Sequence, residues 1–115
     1  MVILLMMHIF TDHAWLHLNS NRARTYSTES NTIEIDSLST QGILLVCVSG
    51  YDSPARIAQD MYLIGFHNAS NNCKIAKILS GNTDIKISNA VLKGGKITLV
   101  FSQDFVMVRV LAQTE

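Results

Sequence analysis

The chain has 115 residues, and its nine Lys plus Arg balance nine Asp plus Glu, so its formal net charge is zero. This length suffices for one domain with a hydrophobic core and is too short for two ordinary ones. The lack of net positive charge argues against general electrostatic binding to nucleic acid or to an anionic membrane. Only 16% of the residues are charged and 48% are apolar, which predicts that part of the surface is buried against copies of the chain or a partner. A surface rich in Ser, Thr and Asn is the alternative explanation.

The first ten residues form an apolar run that could be a secretory signal or a membrane-spanning segment. A secretory signal carries Lys or Arg before its apolar core, and the first basic residue here is Arg22. The run is also shorter than the roughly 20 residues that span a bilayer as a helix. We therefore predict no membrane insertion, and we interpret residues 1–18 as part of the fold or as an interface or docking segment. A segment that contacts a membrane transiently is the alternative for the apolar run.

The N-terminal part of the chain combines strand patterns with a polar stretch. Residues 2–10 and 14–18 show the Val and Ile content or the alternation typical of strands. A short helix with Leu4, Leu5, Met6 and Met7 is the alternative for the first of these segments. Residues 19–31 contain no aliphatic side chain larger than Ala23. This composition predicts a long surface loop or an irregular edge.

Two strands are predicted in the middle of the chain. At 32–36, apolar and acidic residues alternate, which places Ile33 and Ile35 inward. Residues 42–48 form the longest apolar run in the body of the chain, and their Val and Ile content predicts a strand buried on both faces. Residues 53–62 are expected to form an exposed loop with about one helical turn.

The second half of the chain continues the strand pattern. Paired glycines between Lys93 and Lys96 predict a tight hairpin, because glycine permits the positive φ that such turns require. With roughly eight strands spaced about ten residues apart, we predict a single all-β domain over residues 1–115, an antiparallel β-sandwich or jelly-roll-like fold. Its strands in this half are predicted at 61–67, 73–79, 84–88, 96–101 and 105–111.

The strands predicted at 42–48 and 105–111 are apolar on both faces. A two-layer sandwich normally leaves the outer face of each sheet in water. We therefore expect an outer face to be covered, most simply by a symmetry-related copy of the chain. The residues predicted to form this oligomer interface are Val106, Val108 and Val110.

No set of residues predicts a catalytic or metal site. His13 and His17 could share one face, but a third ligand and the Glu of a zinc-protease helix are missing. Gly95-Lys96 lacks both the earlier glycine and the following Ser or Thr of a phosphate-binding loop. The acidic residues are dispersed along the chain. We predict a protein that is not an enzyme and has no metal or other cofactor.

The two cysteines are too few for a disulfide framework or a four-ligand metal site. Cys47 lies inside the apolar run, where a buried thiol is expected. Cys73 lies beside a turn-like pair of asparagines. A bond between the two remains open, because sequence supplies no distance.

The polar segments carry the candidate ligand-binding residues. Tyr26 and Tyr51 could stack on a sugar ring, and Arg22 and Arg24 add hydrogen-bond donors beside Tyr26. This pattern supports a carbohydrate-binding β-sandwich module as the alternative function. The other interpretation is that these are ordinary exposed aromatic residues.

Six segments together resemble the small all-β modules at the ends of tail or head fibres of tailed phages. They are Thr-Ile-Glu-Ile-Asp at 32–36, Gly-Ile-Leu-Leu-Val at 42–46, Tyr-Leu-Ile at 62–64, Lys-Ile-Leu-Ser-Gly at 77–81, Gly-Lys-Ile-Thr-Leu at 95–99 and Val-Met-Val-Arg-Val at 106–110. The resemblance covers about three quarters of the chain and consists of strands and turns, without a diagnostic motif. It implies a non-enzymatic structural or receptor-binding module of a virion, self-associating as a trimer. Its expected partners are other virion proteins and a cell-surface glycan.

Overall fold

A computed structural model describes residues 18–50, 59–81 and 85–114, which form an antiparallel β-sandwich. The predicted fold class is therefore confirmed. A six-stranded sheet has the order β1-β9-β4-β5-β6, with β2 also paired to β9, and a three-stranded sheet has the order β3-β8-β7. In chain order the strands are β1 (Leu18–Asn19), β2 (Arg24–Thr28), β3 (Thr32–Ile35), β4 (Gln41–Gly50), β5 (Asp60–His67), β6 (Asn72–Leu79), β7 (Ile87–Lys93), β8 (Lys96–Phe101) and β9 (Val106–Thr114).

Strands β1 and β2 form one broken edge strand along β9. β1 pairs with the end of β9 and β2 with its beginning, and a 3-10 turn at Ser20–Arg22 separates the two. The Asn19 side chain accepts a hydrogen bond from the Asn21 backbone N–H at 2.8 Å and so begins this turn. The prediction of a long loop at 19–31 is therefore wrong, and the alternative of an irregular edge describes this segment.

The side chains between the two sheets form the main hydrophobic core. Alternation along each strand directs every second residue into this layer, and the hairpin with Gly94 and Gly95 at positive φ joins β7 to β8 as predicted. The strand predicted at 84–88 instead begins at Ile87 and extends to Lys93. The core consists of Ile33, Ile35, Leu44, Val46, Val48, Tyr62, Ile64, Phe66, Ile85, Leu92, Ile97, Leu99, Phe101, Val106, Val108 and Val110.

The three valines predicted as an oligomer interface lie inside this core. Val106 and Val108 are fully buried and Val110 is 1% exposed. They point from β9 towards the smaller sheet, so no surface of theirs is left for a second copy. The predicted interface is therefore wrong at these positions. The error arose because β9 is apolar on both faces, so the sequence does not show which face points inward.

A second apolar layer lies on the opposite side of the six-stranded sheet, away from the smaller sheet. Leu45 is 2% exposed and Cys47 is 8% exposed, although both point away from the main core. By contrast, the outward positions of the smaller sheet include the exposed Thr32, Glu34 and Asn89. We call the apolar layer the outer apolar face, and it consists of Leu18, Ile43, Leu45, Met61, Leu63, Leu111 and Ala112.

Gly42 allows the start of β4 to approach the end of β9. Its φ is +154°, and a Cβ at this position would collide with the Thr114 hydroxyl. That hydroxyl accepts a hydrogen bond from the Ile43 backbone N–H at 2.7 Å. Any larger residue at position 42 would displace this contact between two neighbouring strands.

Several predicted features lie outside the described residues. These are the strand at 2–10, most of the strand at 14–18 with His13 and His17, residue Tyr51 and most of the loop at 53–62. Both cysteines are free, which excludes the disulfide that the sequence left open. In the described part of the chain, no helix is long and apolar enough to cross a membrane.

Candidate functional site

Three of the four predicted ligand-binding residues lie together at the β2 edge of the six-stranded sheet. Arg24 and Tyr26 are two residues apart on β2 and therefore point to the same side. Arg22 precedes them in the 3-10 turn, and the segment that follows β3 lies against all three. Tyr51, the fourth predicted residue, lies outside the described residues and is therefore not included in the description of this group.

The guanidinium group of Arg24 is engaged by the chain itself. Its Nε donates to the Tyr26 hydroxyl at 2.8 Å, and Nη1 donates to the Arg22 carbonyl at 2.7 Å. Nη2 donates to the Asp36 carbonyl at 2.7 Å and to Gln113 Oε1 at 3.0 Å. Because a guanidinium has five N–H groups in a fixed plane, these bonds leave little of it for a ligand.

Tyr26 and Asp36 form the charged end of the same network. The Tyr26 hydroxyl donates to Asp36 Oδ1 at 2.5 Å. This hydrogen bond lowers the pKa of Asp36 below its ordinary value, with a smaller contribution from the Arg24 charge. Burial raises the pKa of Tyr26, and its hydrogen bond to the carboxylate raises it further. Both shifts favour the pair of neutral phenol and ionised carboxylate.

The network connects segments that are distant in sequence. Arg24 and Gln113 are 89 positions apart, and Gln113 is fully buried on β9. The Gln113 side-chain amide also donates to the Ser37 carbonyl at 3.4 Å, and Arg22 donates to that carbonyl as well. The predicted ligand residues therefore connect β2, β9 and the residues after β3 through side-chain hydrogen bonds.

Replacing Tyr26 by Phe should reduce the dependence of stability on pH at both extremes. The lowered Asp36 pKa contributes stability that is present above its ordinary value of 3.8 and is lost as the pH falls through the folded value. The raised Tyr26 pKa contributes stability that is present below 10.0 and is lost as the pH rises through the folded value. Urea unfolding of the parent and Y26F from pH 2 to pH 11 measures both effects. If the unfolding free energies of Y26F and the parent changed in parallel with pH over the whole range, the hydrogen bond between Tyr26 and Asp36 would not be the cause of the two pKa shifts.

A second polar cluster joins β5 to β6. Asp60 is fully buried, its Oδ1 accepts the Gly81 backbone N–H at 2.6 Å, and its Oδ2 lies 3.3 Å from Lys77 Nζ. The Lys77 ammonium is also 5.5 Å from the centroid of the Tyr62 ring. The hydrogen bond to Asp60 is the main cause that raises the pKa of Lys77. This buried carboxylate is paired with Lys77, so it links neighbouring strands and is not a free acid or base.

An open groove of about 260 Å³ lies at the turn between β5 and β6, and we call it the β5–β6 groove. The pairing of Gly65 with Lys74 and of His67 with Asn72 places these four residues on one face of the sheet. His67 Nδ1 is 2.8 Å from the Ser70 hydroxyl. Sequence reasoning missed this groove, and the only signal for it was an isolated glycine inside a strand.

The described residues show where the metal-ligating and thiol side chains lie. Among them, no group of three or more His, Cys, Asp or Glu side chains could hold a metal ion. Burial raises the pKa of both the Cys47 and the Cys73 thiol, which disfavours the reactive thiolate. Comparison with protein-family models, with curated proteins and with solved structures finds no match to this chain.

Proposed function

We propose that this chain is a non-enzymatic β-sandwich module that self-associates, as a trimer, and serves as a structural or receptor-binding part of a phage particle. The observation that carries this proposal is the outer apolar face of the six-stranded sheet, where Ile43, Met61, Leu63 and Leu111 are only partly buried. A second copy of the chain is its occupant. The pattern-level resemblance to phage fibre modules supports the place of the module in a virion.

The outer apolar face is composed of aliphatic side chains. Fully burying one leucine-sized side chain contributes about 1.5–3 kcal/mol. The partly buried Ile43, Met61, Leu63 and Leu111 would gain a part of this from contact with another surface. Leu45 and Ala112 are opposite each other on β4 and β9, and Leu63 is opposite Leu45 on β5. They form a continuous patch across three strands. Leu45 and Ala112 are buried within the chain, whereas Leu63 is only partly buried. The apolar surface that stays exposed on such a patch marks an interaction site.

Charge supports identical copies as partners. The chain has no net charge, so copies do not repel one another through their overall field. The smaller sheet presents polar residues to solvent, so the two faces of the sandwich differ in character. A module of this kind associates through one face and leaves the other in water.

The carbohydrate-binding alternative at Arg22, Arg24, Tyr26 and Tyr51 has less support. Arg24 and Tyr26 bind each other and neighbouring backbone groups, so a sugar would have to displace bonds that hold the fold together. A glycan array measured with the parent and with Y51A tests it. Hits that disappear in Y51A would restore this site.

Light scattering behind a sizing column tests self-association. We expect the parent near three times 12.7 kDa. We expect L63K to shift towards 12.7 kDa, because the ammonium would be buried in the outer apolar face. The matched control is V91K, at a position that is 46% exposed on the smaller sheet, and it should keep the parent mass. Circular dichroism shows whether each variant is folded.

A monomeric parent would overturn the proposed self-association. The outer apolar face would then be assigned to the apolar residues 1–10 of the same chain. An oligomeric parent that L63K leaves unchanged would place the interface on another surface. Either result would leave the fold and the β5–β6 groove as described.

A further inference from the structure

We propose that the β5–β6 groove binds a sugar that carries a carboxylate group, with the Lys74 ammonium as the partner of the carboxylate. This inference rests on the receptor-binding half of the proposed function and names its class of ligand. It moves the ligand site from the β2 edge, which the sequence suggested, to the turn between β5 and β6.

The shape of the groove follows from Gly65. A Cβ built at Gly65 meets no other atom within 4 Å, so the space above this residue is open. Gly65 is flanked by Ile43 on β4 and by Lys74 on β6. A glycine between two larger residues creates a recess in the middle of three strands. Its volume of about 260 Å³ is below the range of about 300–1,000 Å³ for drug-sized ligands, which suits a single sugar ring.

The polar groups around this recess have unused bonding capacity. Lys74 is exposed, and the ion pairs found among the described residues join Lys77 to Asp60 and Lys96 to Glu34. The contact between His67 Nδ1 and Ser70 orients the imidazole ring and leaves Nε2 for a ligand. Asn72 contributes an amide that both donates and accepts.

This set of groups matches an acidic sugar better than a simple anion. Sugar hydroxyls donate and accept hydrogen bonds, as do the Asn72 amide and the His67 ring. The bare backbone at Gly65 offers a flat surface for the C–H face of a ring. One ammonium matches one carboxylate, whereas phosphate sites commonly combine several donors or a helix N-terminus.

NMR titration of the intact chain with four probes tests the inference. The probes are glucuronate, glucose, acetate and inorganic phosphate. We expect glucuronate to shift the amide resonances of β5 and β6, and we expect K74A to weaken its binding by about tenfold, the effect of losing a hydrogen bond to a charged group. G65V should abolish binding, because its side chain would fill the recess while suiting a strand. The matched control K93A, at the β7–β8 hairpin, should bind as the parent does.

Three results would overturn the inference. They are no response to glucuronate, equal binding by K74A and the parent, or equal shifts with acetate or phosphate, which would indicate a general anion site. Light scattering of the same samples separates this inference from the proposed self-association. Binding by a monomer would support the groove alone, and an oligomer that binds no glucuronate would support self-association alone.

Discussion

Replacing Val108 by Asp should abolish folding, whereas the same substitution at the neighbouring Arg109 should leave the chain folded. Val108 is fully buried and lies opposite Tyr26 on β2 and Val48 on β4. A carboxylate there would lose its hydration without gaining a partner, and the penalty is several kcal/mol. A domain of this size has a total stability of about 5–15 kcal/mol. Arg109 is exposed on the other face of the same strand, where a carboxylate stays in water.

Circular dichroism and urea unfolding of V108D, V108A and R109D measure this difference. V108A keeps the position apolar and should remain folded, with a loss of about 2–3 kcal/mol from the removed methyl groups and the remaining cavity. A V108D chain that folds as a monomer would contradict the burial of Val108. That result would restore the interface that the sequence suggested for β9.

Replacing Arg24 by Ala should destabilise the chain by about 2–4 kcal/mol, the combined effect of several lost charge-assisted hydrogen bonds. The main reason is that one of its partners, Gln113, is fully buried. Gln113 Oε1 would lose its donor inside the protein, and the Asp36 carbonyl and the Tyr26 hydroxyl would lose theirs at the β2 edge. Leaving a buried polar group unpaired lowers the free energy of unfolding more than the loss of an exposed ion pair does.

Two further variants sharpen this prediction. R24K retains the charge, but one ammonium cannot replace a planar group that bonds to four positions, so it should recover only a small part of the stability. R22A removes one bond to the Ser37 carbonyl and should have a smaller effect than R24A. Urea unfolding of the three variants gives the order. An R24A variant as stable as the parent that no longer binds a sugar would show that Arg24 is a ligand residue and not a structural one.

The fold class followed from local patterns because those patterns reflect local physics. Alternation of Ile33 and Ile35 with acids predicted β3, since side chains point to opposite faces of a strand. The glycine pair predicted the β7–β8 hairpin, since glycine tolerates positive φ. The apolar run at 42–48 predicted β4 as a strand buried on both faces, and β4 lies in the middle of the larger sheet.

The composition of the candidate site was predicted only in part. Arg22, Arg24 and Tyr26 are indeed neighbours, but the sequence does not show that Asp36 and Gln113 complete their bonds. In the sequence, the arginine donors near an aromatic ring suggested ligand binding. Their hydrogen-bond partners come from segments far away along the chain, so the sequence could not show that these donors are already engaged. Residues at the β5–β6 turn carried no comparable pattern.

The sequence by itself determined that this chain forms short antiparallel strands around an apolar core. Which face of β9 is buried was decided only in the tertiary structure, because both faces of that strand are apolar and a shift of one residue would exchange them. The polar stretch before β3 became an edge strand through backbone pairing with β9, which needs no apolar periodicity. Asp60 and Lys77 became partners because β5 and β6 pair in one register. Long-range strand pairing therefore determines the neighbours of each polar group, whereas local alternation determines only the strands.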